Sequence, residues 1–426
     1  MAAGIPSVQA GSIVATIKPV RILGFHGMNN LPRAPSDLTD QTGKATPAVI
    51  VNADVADGFV LKKRAGSGKF LDLPGAHSLS DGLSVMLAAG GNILYRLDGP
   101  HLIALKALEG PPARITYLEL FGIIYFSNRW TNGIYDLNLG KVRPWGLDLP
   151  PAPQVQITEG DLEPGQYALC FTTRRGDQLS GNGPLTRVSW EGTLQGLKIL
   201  NLPEDALCWI THPNGGELFL AALDDDGVIR RRFPYIQPLP TLDEAAPPPF
   251  THFAFGHGRI WGARENKVYY SAAFRYENFP HLYLPFNEEV VMVAPVTDGL
   301  YVNSRTSTWW LNRTSPDKMV AHRVGDGAVS GTLVYAQVRQ KEIAGNVVSE
   351  SLPAWMDARG IVIGTNIGHM MHITDHRLKM NSFTEGAAFY RDIDGRPQTV
   401  FSLFGAPTRE MDRTLFDILR RGKLFS

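Results

Sequence analysis

The sequence predicts an all-β chain of β-propeller type with about six blades, an inserted β-sandwich and a short C-terminal helix. Three observations predict it. The 426 residues include 43 Gly and 30 Pro, a combined share above the usual one, which suits an architecture dense in turns better than one of long helices. One unit recurs: a Gly, three or four apolar or aromatic residues, a few polar ones, then a second apolar-aromatic run. The unit also repeats at set distances, 42 residues from Gly216 to Gly258 and 41 from Gly258 to Gly299, with a shorter step of 31 from Gly91 to Gly122. One four-stranded blade occupies roughly 40 to 50 residues.

Residues 1–50 mix short apolar runs with the turn-rich GFHGMNNLPRAPSDLTD and predict an extended segment running over the surface. Residues 51–145 form the first part of the propeller, with units at GGNILYRLDG (90–99) and FGIIYFSNRWTNGIYDLN (121–138). Each unit reads as a strand, a short polar turn and a returning strand, because β-branched and aromatic runs bounded by Asn, Gly and Asp favour hairpins. Residues 215–405 form the second part, with units at GGELFLAALDDDGVIRRRF (215–233), GRIWGARENKVYYSA (258–272), DGLYVNSRTSTWWLN (298–312) and RGIVIGTNIGHMMHIT (360–374).

Between these parts, residues 146–214 change character. A proline-rich linker precedes the longer alternating runs YALCFTT, TRVSW and LKILNL, which read as sandwich strands, with RRGDQLSGNGP as a long turn. The run PGQY…FTTRRGDQLSGNGP resembles the Gly-x-Tyr, strand, Gly-x-x-Ser-Gly-x-x-Pro pattern of fibronectin type III-like domains. Residues 406–426 predict a helix: Met411, Leu415, Ile418 and Leu419 share one face, Glu410 and Asp412 sit in its first turn, Arg420 and Arg421 in its last, and Gly422 follows as a stop.

Lys plus Arg (41) balance Asp plus Glu (41), so the overall charge carries no footprint of a nucleic-acid-binding surface. Cys170 and Cys208 are too few for a disulfide framework and lack CxxC spacing, which predicts reduced structural thiols. No apolar run approaches the roughly 20 residues that span a bilayer, and the N-terminus shows no charged-then-apolar leader pattern. The expectation is a protein made and folded in a cytoplasm, without membrane insertion.

Candidates for chemistry are few. His257, Arg259 and Glu265 in FGHGRIWGARENK could supply an acid, a clamp and a base, but Glu265 falls in a polar turn where a solvated charge is ordinary. Trp261, Tyr269 and Tyr270 read as cross-strand packing. In GHMMHITDH, His369, His372 and His376 invite a metal reading, yet on a strand His369 and His372 point to opposite faces. KRAGSGKF (63–70) is no phosphate loop, because Lys63 stands where the first Gly is needed and Phe70 where Ser or Thr would hold magnesium. No GxSxG elbow or dinucleotide fingerprint occurs, and no cofactor is expected.

Three stretches carry a family resemblance: VNADVADGFVLKKRAGSGKFLDLPGAHSL (51–79), FGHGRIWGARENKVYYSAAFRYENFP (255–280) and VVMVAPVTDGLYVNSRTSTWWLNRTSPDKM (290–319). In this order, across roughly residues 45–405, they resemble the β-propeller tail nozzle or hub proteins of short-tailed bacteriophages. The resemblance implies a non-enzymatic virion tail protein and transfers no catalytic residue. It would assemble as a ring of six copies, between a tail adaptor and tail fibres, with genomic DNA passing through the lumen unbound. A neutral or acidic lining would repel phosphate. Asp224, Asp225 and Asp226 with Arg230, Arg231 and Arg232 are candidate contacts between subunits, the alternative being a solvated hairpin tip. Two other functions stay open: a propeller that binds a host receptor or glycan, favoured by a concave face with exposed aromatics, and a polysaccharide hydrolase, which needs a pair of carboxylates in a central pocket.

Overall fold

A computed structural model describes residues 24–25, 44–45, 53–56, 60–63, 68, 70–80, 82–231, 237–339, 349–374, 383–393 and 396–405. The chain divides into two compact units, one of residues 1–68 with 374–379 and one of residues 69–373 with 380–426. In the first, Gly24–Phe25 pairs in parallel with Lys44–Ala45, and Ala53–Ala56 pairs antiparallel with Val60–Lys63. The rest of the predicted extended segment and the predicted helix over 406–426 lie outside the described residues.

The second unit is all-β among its described residues, apart from one 3-10 turn at Pro316–Lys318. Five four-stranded antiparallel meanders follow one another. The first holds Ala76–His77, Met86–Gly90, Ile93–Asp98 and His101–Ala107; the second Thr116–Leu120, Ile123–Ser127, Asn132–Asp136 and Lys141–Arg143. The third holds His252–Gly256, Arg259–Arg264, Lys267–Tyr270 and Tyr283–Pro285. The fourth holds Val290–Val296, Gly299–Ser304, Ser307–Asn312 and Val320–Asp326; the fifth Val334–Arg339, Ser349–Asp357, Gly360–Gly364 and Met370–His372. A terminal hairpin, Glu385–Ile393 with Arg396–Phe404, meets the segment leading into the fifth through a parallel bridge from Ser330 to Glu385.

Each meander packs its face on the next. Leu87 and Leu94 of the first meet Ile124 and Phe126 of the second; Tyr125 and Ile134 of the second meet Phe253 and Ile260 of the third. The fourth is covered on both faces, and its strands show why. Val293, Leu300 and Val302 face the third meander, whereas Met292, Ala294, Val296 and Tyr301 face Trp355 and Val362 of the fifth. The period of two in a strand sends successive side chains to opposite faces, so VVMVAPV must be apolar throughout, and all seven residues are buried. Face-to-face stacking of meanders in chain order is propeller-like.

Between the second and third meanders the chain makes an excursion. Val155–Leu162, Gln195–Ile199 and Val228–Ile229 form a three-stranded sheet. Gly165–Arg175, Gln178–Leu179, Thr186–Trp190, Ala206–His212 and Gly215–Leu220 form a five-stranded one. The two sheets bury a shared core that includes Leu162, Leu197, Ile199 and Ile229 from one, and Tyr167, Leu169, Phe171 and Ile210 from the other. Both cysteines are free and buried here. Cys170 lies opposite Trp209 and Cys208 opposite Phe171 in the ladder, so the thiols point to opposite faces of their sheet.

Four of the six recurring units are hairpins within meanders, and the unit at 90–99 supplies a turn and the single strand Ile93–Asp98, which pairs back on Met86–Gly90. The unit at 215–233 is no hairpin: Gly215–Leu220 pairs with Ala206–His212, and Val228–Ile229 crosses to the other sheet. Alternating apolar residues commit a segment to a half-buried strand without choosing its partner, so a hairpin and a crossing between sheets read alike.

Candidate functional site

The excursion is tied to the meanders at a seam built around one carboxylate. Arg143, the last strand residue of the second meander, donates from Nη2 to Glu277 Oε1 and from Nη1 to Oε2, both at 2.7 Å. Gln178 Nε2, on the tight turn of the excursion, donates to Oε2 at 2.7 Å, and the Gly146 backbone N–H donates to the same oxygen at 3.2 Å. Side-chain exposure is 21% for Arg143 and 12% for Glu277, so this pair is screened less than a surface ion pair. The hydrogen bond to Glu277 leads the effects that raise the Arg143 pKa above its ordinary value.

Trp145 plugs the seam beside this cluster. Its ring lies 5.0 Å from Tyr125, 5.1 Å from Phe253 and 5.8 Å from Phe250, and its indole N–H donates to Tyr276 O at 2.9 Å. Onto the excursion, Thr241 Oγ1 donates to Ser180 O at 2.7 Å, and the Asp243 N–H to Asn182 Oδ1 at 2.7 Å. Asn278 Nδ2 reaches Leu179 O at 3.0 Å. The sequence LSGNG is thus the part of the excursion that grips the neighbouring chain, and Gly181 is required there because a Cβ would run into the Glu244 carbonyl oxygen.

Above the seam opens a cleft of about 570 Å³, lined by the second meander, the excursion turn and the loop after the third strand of the third meander. Tyr125, Phe274 and Tyr276 give it an aromatic lining, with Phe121 and Phe255 behind Tyr276. Phe121 is 81% exposed and Phe274 79%, and both hold positive φ, 52° and 59°. Bulky residues rarely adopt that conformation. Phe121 stacks on Tyr276 at 6.1 Å with planes 10° apart, while Phe255 meets the same Tyr276 edge-on at 5.6 Å. Leu139, also well exposed, completes the lining on the side of the second meander.

A second polar pocket, of about 150 Å³, lies where the meanders converge. Arg114, Thr251, Val290, Ser330 and Glu385 line it, each at or just before the first strand of a successive sheet. Arg129 pairs there with Glu289 at 2.5 Å, and Arg305 donates to Thr384 O at 2.9 Å. Arg114 donates to Gly386 O at 2.5 Å. Burial and then the Arg114 charge push the His252 pKa down to about 3, and His252 Nδ1 accepts the Val293 N–H at 3.2 Å.

No protein-family model matches the chain, and no curated protein matches it. Among solved structures, it is similar to the computationally designed Ika8 protein, at 10% identity over 78% of this chain and 99% of that one, with a TM-score of 0.26. It is also similar to BBS1N in complex with ARL6DN, at 10% identity. A lead-soaked crystal of that complex gives 80% and 94% coverage with a TM-score of 0.26; a mercury-soaked one gives 78% and 91% with 0.27. Likeness of this degree does not extend to activity or partners.

The residues singled out from sequence fall in different places. Asp224 and Asp226 turn back on Arg230, at 2.9 and 3.4 Å, so three of the six predicted contact charges pair within their own turn. Asp225 and Arg231 are exposed beside them, and Arg232 lies outside the described residues. His257 forms a two-residue turn with Gly258, both at positive φ, and its Nε2 contacts Val296 O at 2.6 Å. Arg259 donates to Ser271 O at 2.7 Å, and Glu265 occupies the turn at the other end of the same strand. The geometry does not bring these three together. Trp261 is fully buried and lies opposite Tyr270 in the ladder, as cross-strand packing requires.

His372 pairs with the buried Asp357 at 2.9 Å. His376 lies outside the described residues, and no group of three or more metal-ligating side chains occurs among those described. No described helix is long and apolar enough to cross a membrane. Glu277 and its partners escaped sequence reading because they come from segments 99 to 134 residues apart. The one local signal was LSGNG, whose closely spaced glycines mark tight backbone approach.

Proposed function

We propose that this chain is a non-enzymatic structural protein of a short-tailed phage virion. In this reading the five meanders and the terminal hairpin are the blades of a six-bladed propeller, and the excursion is a fibronectin type III-like insertion. Six copies form a ring, the nozzle at the distal end of the tail, linking adaptor and fibres and surrounding the DNA exit channel. The observation that carries the reading is the seam at Glu277. It braces the insertion against two sheets at once, giving the stiff wall element that a ring under internal pressure needs. The ordered motifs at 51–79, 255–280 and 290–319 support the same assignment, and His257, Arg259 and Glu265 are consumed in turns and hydrogen bonds rather than gathered for catalysis.

Negative-stain imaging of the purified protein and of virions tests it. A ring in both, with antibody label at the tail tip, is the expected outcome. A stable monomer absent from purified particles overturns the assignment, and release of sugars from host polysaccharide overturns its non-enzymatic part.

A further inference from the structure

The cleft above the Glu277 seam has a chemistry of its own. At about 570 Å³ it falls within the roughly 300–1,000 Å³ of small-ligand sites, which combine aromatic walls with a few placed polar groups. Its walls hold three basic residues, Arg143, Arg175 and Arg275, and three acidic ones, Asp136, Asp177 and Glu277. Four of these are committed: Arg143 to Glu277, Arg275 to Glu244, and Asp136 Oδ1 to the backbone N–H groups of Asn138 and Leu139. Arg175 and Asp177, both exposed on the excursion turn, are left as one donor and one acceptor side by side.

The rim supplies the apolar half. Phe274 lines the cleft with its ring in solvent, and Phe121 props Tyr276 from outside. Backbone strain of this kind costs on the order of 1–3 kcal/mol per residue; at Phe274 the turn is held by its N–H on Gly258 O at 2.8 Å, while its ring stays 79% exposed over the cleft. An exposed aromatic ring lining a cleft of ligand size offers a face for a ligand to stack on. The balanced charge disfavours a polyanion, whereas a donor and an acceptor together suit hydroxyls, which both give and take hydrogen bonds.

We propose that this cleft binds an uncharged saccharide, with the C–H face of one sugar ring on Phe274 and its hydroxyls on Arg175 and Asp177. The step is binding alone: Glu277 accepts four hydrogen bonds in the seam and is not available as an acid. The inference stands apart from the virion assignment, since sugar binding is read on the isolated full chain and ring formation by imaging.

The test is a saturation-transfer NMR and calorimetric titration with neutral gluco- and galacto-oligosaccharides, with oligogalacturonate as the charged comparison. At least one neutral oligosaccharide is expected to bind. Phe274→Ala should weaken it tenfold or more, Asp177→Asn severalfold, Phe274→Tyr should restore it, and Phe389→Ala, an exposed ring on the terminal hairpin, should bind as the unaltered protein does. No neutral binding, tighter binding of oligogalacturonate, or unchanged affinity in Phe274→Ala overturns the proposal. So does self-association that is lost in Phe274→Ala without any saccharide binding, which assigns the rim to a second copy.

Discussion

Arg143 and Glu277 meet in a two-pronged ion pair, 2.7 Å on each prong, joining the end of one meander to the loop of the next. Planar guanidinium and carboxylate match in this geometry, which fixes orientation as well as distance. Removing one partner leaves the other partly buried and unmatched. Glu277→Ala is therefore expected to destabilise the chain by about 2–4 kcal/mol, and Arg143→Lys, which keeps the charge but loses the fork, by about 1 kcal/mol. Urea unfolding of the variants checks both.

Gly181→Ala should act at the same seam through backbone. The added methyl group meets the Glu244 carbonyl, so the turn must move and the bonds from Thr241 and Asp243 lengthen. The expected cost is about 2 kcal/mol or more, with faster proteolysis near residues 176–184 as the local readout.

Phe121→Asn should do the opposite. Asn tolerates the left-handed conformation that Phe121 is forced into, and little buried area is lost at an 81% exposed position. A gain of about 1 kcal/mol is expected, seen as a rise in melting temperature.

Stability should fall with acid through His252. Burial, then Arg114, hold its folded pKa at about 3, below the ordinary histidine value of about 6.5. Between these values the unfolded chain binds the proton and the folded chain does not, so stability drops as pH falls from about 6.5 towards 3, by up to about 1.4 kcal/mol per pH unit. The Val293 N–H donates to Nδ1, the nitrogen that the added proton would have to occupy. His252→Gln should flatten this part of the pH profile in denaturant titrations.

Burial raises both thiols to about 12, so native Cys170 and Cys208 are expected to be silent towards an aromatic disulfide reagent at pH 8. Both should react in denaturant, because thiolate is the reactive form. Their opposite orientation in the ladder predicts no disulfide between them under mild oxidation.

The strands were legible wherever the local pattern alone decided. VVMVAPV, GRIWG and IIYFS carry their burial in their own alternation or continuity, and the turns between them carry Gly, Asn or Asp. The run GGELFL showed the limit: its strand is present, but its partner was set by the core that Leu162 and Ile229 close from the other sheet. The seam was illegible for a related reason. Arg143, Gln178 and Glu277 are ordinary surface types, and only the fold gives them one another. The acidic and basic triplets near residue 228 stood out by composition, yet Arg230 satisfies two of the aspartates nearby, a local outcome that charge runs usually have.

Gly146 and Ala246 bear on how the whole excursion is carried. A methyl group on Gly146 would come within 2.7 Å of the Ala246 Cβ, so the chain departs and returns at a single point. The intervening hundred or so residues leave and rejoin the sheets at this doorway, beside the seam where Gln178 and Leu179 meet Glu277 and Asn278, and added length far from the seam costs the sheets little. That makes the doorway a socket: another domain whose ends lie close together could be spliced between these two residues, giving the same sheets a different face to present.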